Sequence, residues 1–253
     1  MTDLPDPRLP LRRFGWLIFT FLLLSCAQPQ TPPQGVSREA NLAAPATALA
    51  SPRKPAKVMG FEGASWLERP GREEAEKPEV VLEAMDLRPG LNVAEIGTGT
   101  GWFARRIGPR IAPGGKVYAQ DIQPEMLELM KKYAAEAGVT NIVPVLGTDA
   151  DPKLPAGKID RVLLVDVYHE FQKPKEMLAR IRESLAPGGR VILVEYRLEG
   201  DTATHIHIDH RMSVDQVLAE WTPAGFELVN RLETLPSQHL FIFTARRGAR
   251  PVP

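Results

Sequence analysis

A single cysteine in 253 residues, Cys26, excludes an internal disulfide and any zinc site built from paired thiolates. Charge of one sign is also missing: 31 Lys and Arg stand against 31 Asp and Glu, a formal net charge of zero. That balance leaves no basic footprint for nucleic acid. Long apolar runs are absent as well. The longest uncharged apolar stretch, Phe14 to Leu24, has eleven residues, too few for a permanent membrane-spanning helix. No internal repeat and no Gly-x-Gly-x-x-Gly dinucleotide pattern occurs, and the residue after Gly101 is the bulky Trp102.

What is present begins at Val93-Ala94-Glu95-Ile96-Gly97-Thr98-Gly99-Thr100-Gly101-Trp102-Phe103, a buried strand running into a glycine loop and then a helix. Glycines at 97, 99 and 101 allow positive φ and close approach of backbone to a ligand. Lys116 to Asp121 reads as the next strand, with Asp121 twenty residues after Gly101 at its carboxyl end. A carboxylate there is placed to accept both hydroxyls of a ribose. An Asp at such a position also caps helices, and Pro124 marks a helix start just beyond it.

Gly-x-Gly-x-Gly after an acid, followed by a second acid about twenty residues on, resembles motif I of class I S-adenosylmethionine-dependent methyltransferases. The resemblance covers about residues 78 to 247. It implies an α/β, doubly wound Rossmann-like sheet of seven strands in the order 3-2-1-4-5-7-6, mostly parallel with the last strand antiparallel. It also implies S-adenosyl-L-methionine as cofactor, held by Glu95, Gly97, Thr98, Gly99, Gly101, Asp121, Ile122, Asp149 and Asp166. Asp149 matches the place of the group that faces the adenine amino group, with a turn as its alternative.

The downstream pattern fits that fold. Pro124 to Ala137 reads as a helix closed by Gly138, and Ile142 to Leu146 as a strand. Ile159 to Val167 is a nearly continuous apolar run, the signature of a central parallel strand. Leu185-Ala186-Pro187-Gly188-Gly189-Arg190 leads into a fifth strand, Val191 to Tyr196, and resembles the family's post-catalytic motif. Ser213-Val214-Asp215-Gln216 is a capping-box pattern opening a helix that runs to Ala224. Two final strands follow, around Phe226 to Val229 and His239 to Ala245, joined by a turn at Pro236-Ser237.

Methyl transfer from a sulfonium is an in-line displacement with a good leaving group, so alignment and desolvation carry much of it. Asp166, Tyr168, His169 and Glu170 lie at the expected mouth. Asp166, Tyr168 and His169 are the catalytic candidates, and His169 is the best base because its ordinary pKa is near neutral. Packing over the cofactor or capping a turn is its other reading. The Asn/Asp-Pro-Pro-Tyr motif of amino methyltransferases is absent, and arsenite methylation, which relies on cysteine thiolates, is set aside. The glycine loop also resembles that of protein isoaspartyl methyltransferases, but their substrate-binding segment has no match. Small-molecule or lipid-like acceptors remain, with a non-catalytic binding module of the same fold as the alternative function.

Two clusters stand outside this frame. His205-Ile206-His207-Ile208-Asp209-His210 alternates in a way that makes a metal site conceivable. Without cysteine partners or a matching distant cluster it reads instead as a polar loop on the substrate side, and no metal is expected. Phe61 to Pro70 mixes aromatics with charge, and Trp66 and Arg69 read as a lid over the cofactor or as a surface arm.

The amino-terminal region points elsewhere. Arg12-Arg13, the apolar run and Leu23-Leu24-Ser25-Cys26 resemble a bacterial lipoprotein signal. The expected division is a signal peptide at 1–25, a lipidated Cys26 with a disordered Pro- and Ala-rich tether at 26–57, and the methyltransferase domain at 58–253. Membrane attachment is expected through Cys26 only, in the cell envelope. Loss of residues 1–25 leaves 28 basic and 29 acidic residues, so no nucleic-acid partner is implied. Export conflicts with the cytosolic origin of S-adenosylmethionine, and translation from Met59 would instead give a cytoplasmic protein.

Overall fold

The computed structural model describes residues 53–246. The expected signal peptide, Cys26 and the tether as far as residue 52 lie outside the described residues. Eight strands form one sheet: β1 (Asn92–Ile96), β2 (Lys116–Asp121), β3 (Ile142–Leu146), β4 (Ile159–Val165), β5 (Leu185–Arg197), β6 (Arg211–Met212), β7 (Phe226–Leu232) and β8 (Gln238–Ala245). The path is β3-β2-β1-β4-β5-β8-β7, with β6 pairing β5 off the path. This is the order expected from the sequence, renumbered because the two-residue β6 precedes the final pair. β1 to β5 run parallel, and β8 lies antiparallel between β5 and β7.

The sheet is buried on both faces because its central strands have no polar face to offer water. Val93 of β1 packs with α2 (Pro78–Ala84), α3 (Ala104–Ile111) and α4 (Pro124–Glu136) through Val81, Leu82, Ile107 and Met130. Its neighbour Ala94 points the other way, toward α5 (Pro174–Ser184) and α6 (Val214–Trp221), where Leu178, Ile181, Val217 and Trp221 close the second layer. α1 (Arg72–Glu76) precedes these helices.

Local signals place most boundaries. Pro124 opens α4 and Gly138, at φ 67°, follows its end. Ser213 caps α6 by accepting from the Gln216 N–H at 3.1 Å. The return arm of the capping box is not made: the Gln216 side chain turns to Glu220 instead. α6 stops at Trp221, short of the expected Ala224.

One boundary moves. Residues 53–57, assigned to the tether from composition, are bound to the domain. Arg53 donates to the carbonyls of Tyr168 (2.9 Å) and His169 (2.8 Å) and to Glu220 (3.0 Å), and the Ala56 N–H donates to the His169 carbonyl. Composition missed this because one arginine with three acceptors outweighs the proline-rich context around it.

Trp221 is fully buried and stacks on Phe243 at 4.6 Å, and its indole N–H has no partner among the described residues. Trp221→Ala is expected to lower unfolding stability by about 3–5 kcal/mol. Trp221→Phe, which keeps a ring in the stack and loses no hydrogen bond, is expected to cost less than half of that. Urea denaturation of both variants checks the pair.

Candidate functional site

β1, β2 and β4 end side by side, and their carboxyl ends open on a cavity of about 380 Å³. In an open α/β sheet this is where ligands bind. Between β1 and α3 the chain turns through Gly97 (φ 68°), Gly99 (φ 52°) and Gly101 (φ 76°), a left-handed run that side chains resist. A Cβ on Gly97 would meet Val167 at 2.4 Å, and one on Gly99 would meet Leu67 at 2.5 Å. These glycines therefore allow close packing as well as the turn. Gly97 and Gly99 line the cavity.

Asp121 joins the loop to the next strand. Its carboxylate accepts from the Gly99 N–H and from the Gln123 N–H, each at 2.9 Å. Burial raises its pKa, opposed by those backbone donors and that of Ile122. The two oxygens keep spare lone pairs toward the cavity, which Asp121 and the exposed Ile122 both line. The capping and ligand readings of Asp121 are thus compatible.

Glu95, Thr98 and Gly101 do not line the cavity and brace the loop from behind. The Thr98 hydroxyl donates to Glu95 at 2.8 Å, and Glu95 also accepts from the Ala104 N–H at the start of α3. A Cβ on Gly101 would meet Met130 at 2.5 Å. Asp149 stands on the exposed rim and pairs with Lys173 at 2.9 Å.

Asp166 follows β4 at φ 50° and lines the cavity. Its Oδ2 accepts from Gln238 at 3.1 Å, while Oδ1 is buried and without a partner among the described residues. Burial first, then Glu76 and Glu195, push its pKa well above the usual carboxylate range. Tyr168 departs from the expectation. Its hydroxyl is bound to Glu220, its ring packs against Trp221 and Phe171, and it does not reach the cavity. The short 3-10 turn Tyr168–Glu170 sends successive side chains to different sides, so Tyr168 faces the core while His169 and Glu170 face the cavity.

His169 has both ring nitrogens engaged. Nδ1 lies 2.6 Å from Glu195 Oε2, and Nε2 lies 3.0 Å from His210 Nδ1. Burial alone would lower its pKa, but the carboxylates of Glu195, Asp166 and Glu170 together outweigh it and the net direction is upward. The free lone pair that a base requires is therefore not on His169 in this arrangement. Burial lifts Glu170 to about 7, with Oε1 accepting from the Met59 N–H at 3.1 Å. Glu195 was not singled out from sequence, and His210 only as part of the histidine-rich loop read as lying on the substrate side. Glu195 lay hidden in an apolar strand, where its acidic type was the only available signal.

The segment before the sheet covers the site. Trp66 and Arg69 line the cavity, with the guanidinium 3.9 Å from the indole centroid. Arg72 and Arg106 lie on Trp102, at 4.2 and 3.7 Å, so the bulky residue after the glycine loop fastens α1 to α3. Glu68 ties the same segment to Thr100 and Arg105, each at 2.6 Å.

Residues 93–189 match the family model described as a methyltransferase domain. This stretch belongs to a methyltransferase domain family. The chain is 35% identical over 114 residues to a protein-L-isoaspartate O-methyltransferase of Pyrococcus horikoshii, covering 45% of this chain and 48% of that one. It is 31% identical over 112 residues to a ubiquinone/menaquinone biosynthesis C-methyltransferase of Bordetella avium, covering 44% and 43%. The chain thus spans about half the length of these curated relatives. The fold is also that of a SAM dependent methyltransferase from Aquifex aeolicus, with TM-score 0.69, 22% identity and coverage of 74% of this chain and 98% of that one.

The residues present fit S-adenosylmethionine, the cofactor implied by the resemblance of the glycine loop to motif I. Among the described residues, five carboxyl groups (Glu76, Asp121, Asp149, Asp166, Glu170), two guanidiniums and four imidazoles line the cavity. Asp121 offers acceptors for ribose hydroxyls. The orphaned Asp166 Oδ1 is an acceptor for an ammonium, whose arrival would favour the ionised carboxylate.

Glu95 titrates at about 7 in the folded protein against 4.5 for the free side chain, chiefly through burial. Below pH 4.5 it is protonated in both folded and unfolded chains. Between 4.5 and 7 only the unfolded chain ionises, so its contribution to stability is lost as pH rises across that window. Relative to Glu95→Gln, the wild type is expected to lose on the order of 3 kcal/mol between those limits. Urea denaturation of both proteins at a series of pH values measures the difference.

Proposed function

We propose that this chain is an S-adenosylmethionine-dependent methyltransferase acting on a small-molecule acceptor. The observation that carries the reading is the Asp121 carboxylate, bonded to the Gly99 N–H of the glycine loop and facing the cavity. One side chain thereby fixes the loop geometry and presents acceptors for a ribose.

When bound, S-adenosylmethionine supplies an electrophilic methyl group on a positively charged sulfur. The chain's own residues do the rest. Gly97 and Gly99 allow backbone contact, Asp121 orients the nucleoside end, and Asp166 Oδ1 takes the amino group. Arg69 and Arg72 stand on the same wall and offer donors for a carboxylate. Trp66, Leu67 and Met59 cover the cavity and restrict water. The acceptor enters on the side of His169, Glu170, His205 and His210, whose polar groups discriminate acceptors by hydrogen bonding.

The same proposal places the enzyme in the cell envelope, attached through a lipidated Cys26. The Arg53 and Ala56 bonds to the turn carrying His169 support the longer chain, since a protein starting at Met59 would lack both. No helix among the described residues is long and apolar enough to cross a membrane.

Asp121→Ala in the full chain is expected to weaken binding of S-adenosylmethionine and S-adenosylhomocysteine at least 100-fold, read by calorimetric titration. Wild-type protein that binds neither ligand would overturn the reading.

A further inference from the structure

The cavity wall opposite the glycine loop carries a group of side chains that cofactor binding does not use. His169, Glu170 and His210 each present one donor atom, and the three atoms lie within 4.8 Å of one another. From these residues we infer a mononuclear binding site for a borderline divalent cation such as Zn²⁺, with open coordination positions facing the cavity. The site lies on the side where the proposed acceptor enters, and cation binding is measured without the cofactor, so its outcome is independent of the proposed methyl transfer.

Topology brings these residues together. β5 and β6 pair in parallel with Tyr196 opposite Arg211, so the residues one step earlier, Glu195 and His210, fall at the same level. Glu195 then meets His169, which hangs from the turn after the neighbouring strand β4. The distant partner that the histidine-rich loop lacked in the sequence is this His169-Glu170 pair.

The donor set and its distances suit such a cation. Two imidazole nitrogens and one carboxylate oxygen are ligands for Zn²⁺ and its first-row neighbours. Bonds of about 2.1 Å to a tetrahedral cation put its donors about 3.4 Å apart. His169 Nε2 and His210 Nδ1 are already 3.0 Å apart, and the widest of the three separations, within 4.8 Å, closes by at most about 1.4 Å through rotation of the Glu170 side chain. A cation between them replaces the proton the two rings now share.

The support behind these donors is also in place. The other nitrogen of His169 is held at 2.6 Å by Glu195, which is fully buried and also accepts from the Tyr168 N–H at 2.7 Å. A carboxylate behind a ligating imidazole fixes the ring's orientation and tautomer. Glu170 is steadied through one oxygen by the Met59 N–H, and its second oxygen has no bond among those of the described residues. Remaining positions on the cation face the cavity, where an acceptor bearing an oxygen or nitrogen donor would complete the shell. A cation at that place would lower the pKa of such a donor.

The test is titration of the tag-free, chelator-stripped full chain with Zn²⁺ by calorimetry, and with Co²⁺ by visible absorption. The expected result is one Zn²⁺ per chain at micromolar affinity or tighter. His210→Ala and Glu170→Gln should each weaken it at least tenfold, while His207→Ala, at an exposed position, should leave it unchanged. His210 is only half-buried and Glu170→Gln keeps an acceptor for the Met59 N–H, so folding confirmed by circular dichroism is expected in both. Failure of the wild type to bind Zn²⁺ would overturn the site. So would binding that survives both substitutions, or that is lost only in His207→Ala.

Discussion

The bond from the Gly99 N–H to Asp121 is the constraint on which the rest of the site depends. It ties the loop after β1 to the end of β2 and holds three left-handed glycines in one conformation. A buried carboxylate is costly unless it is hydrogen-bonded, and here backbone donors on both sides satisfy it. Rigidity of the loop and readiness to bind a ribose come from the same group. Glu95, behind the loop, has the complementary task of joining Thr98 to the start of α3.

A second buried carboxylate organises the opposite wall. Glu195 holds the backbone of Tyr168 and the ring of His169, and so fixes the turn that decides which residues after β4 reach the cavity. Arg53 grips that same turn from outside through two carbonyls. The cavity therefore has one wall built on the glycine loop and another built on Glu195. The segment 53–76 spans both: its Met59 carbonyl accepts from Gln123 on one side, and its Met59 N–H meets Glu170 on the other.

Much of the first wall was legible in the sequence. Gly97, Gly99, Gly101 and Asp121 announce themselves by local spacing, and the strands from Lys116, Ile142 and Ile159 by apolar runs of the right length. The roles were less legible. Glu95 and Thr98 brace the loop without lining the cavity, and Asp149 is paired with Lys173 at the rim. Tyr168 looked catalytic beside His169, yet a 3-10 turn separates the two directions and sends its hydroxyl to Glu220.

The sequence by itself determined the doubly wound sheet, the glycine loop and the acid at the end of β2, because each is a pattern within a few residues and follows from backbone conformation and apolar periodicity. Only the tertiary structure decided that Glu195, His169, Glu170 and His210 share one wall, and that Arg53 reaches it. These residues lie on separate segments, and their meeting depends on the register of β5 against β6 and on the crossing of an extended amino-terminal strap. Neither is encoded in local periodicity, since pairing partners are chosen by the whole packed sheet.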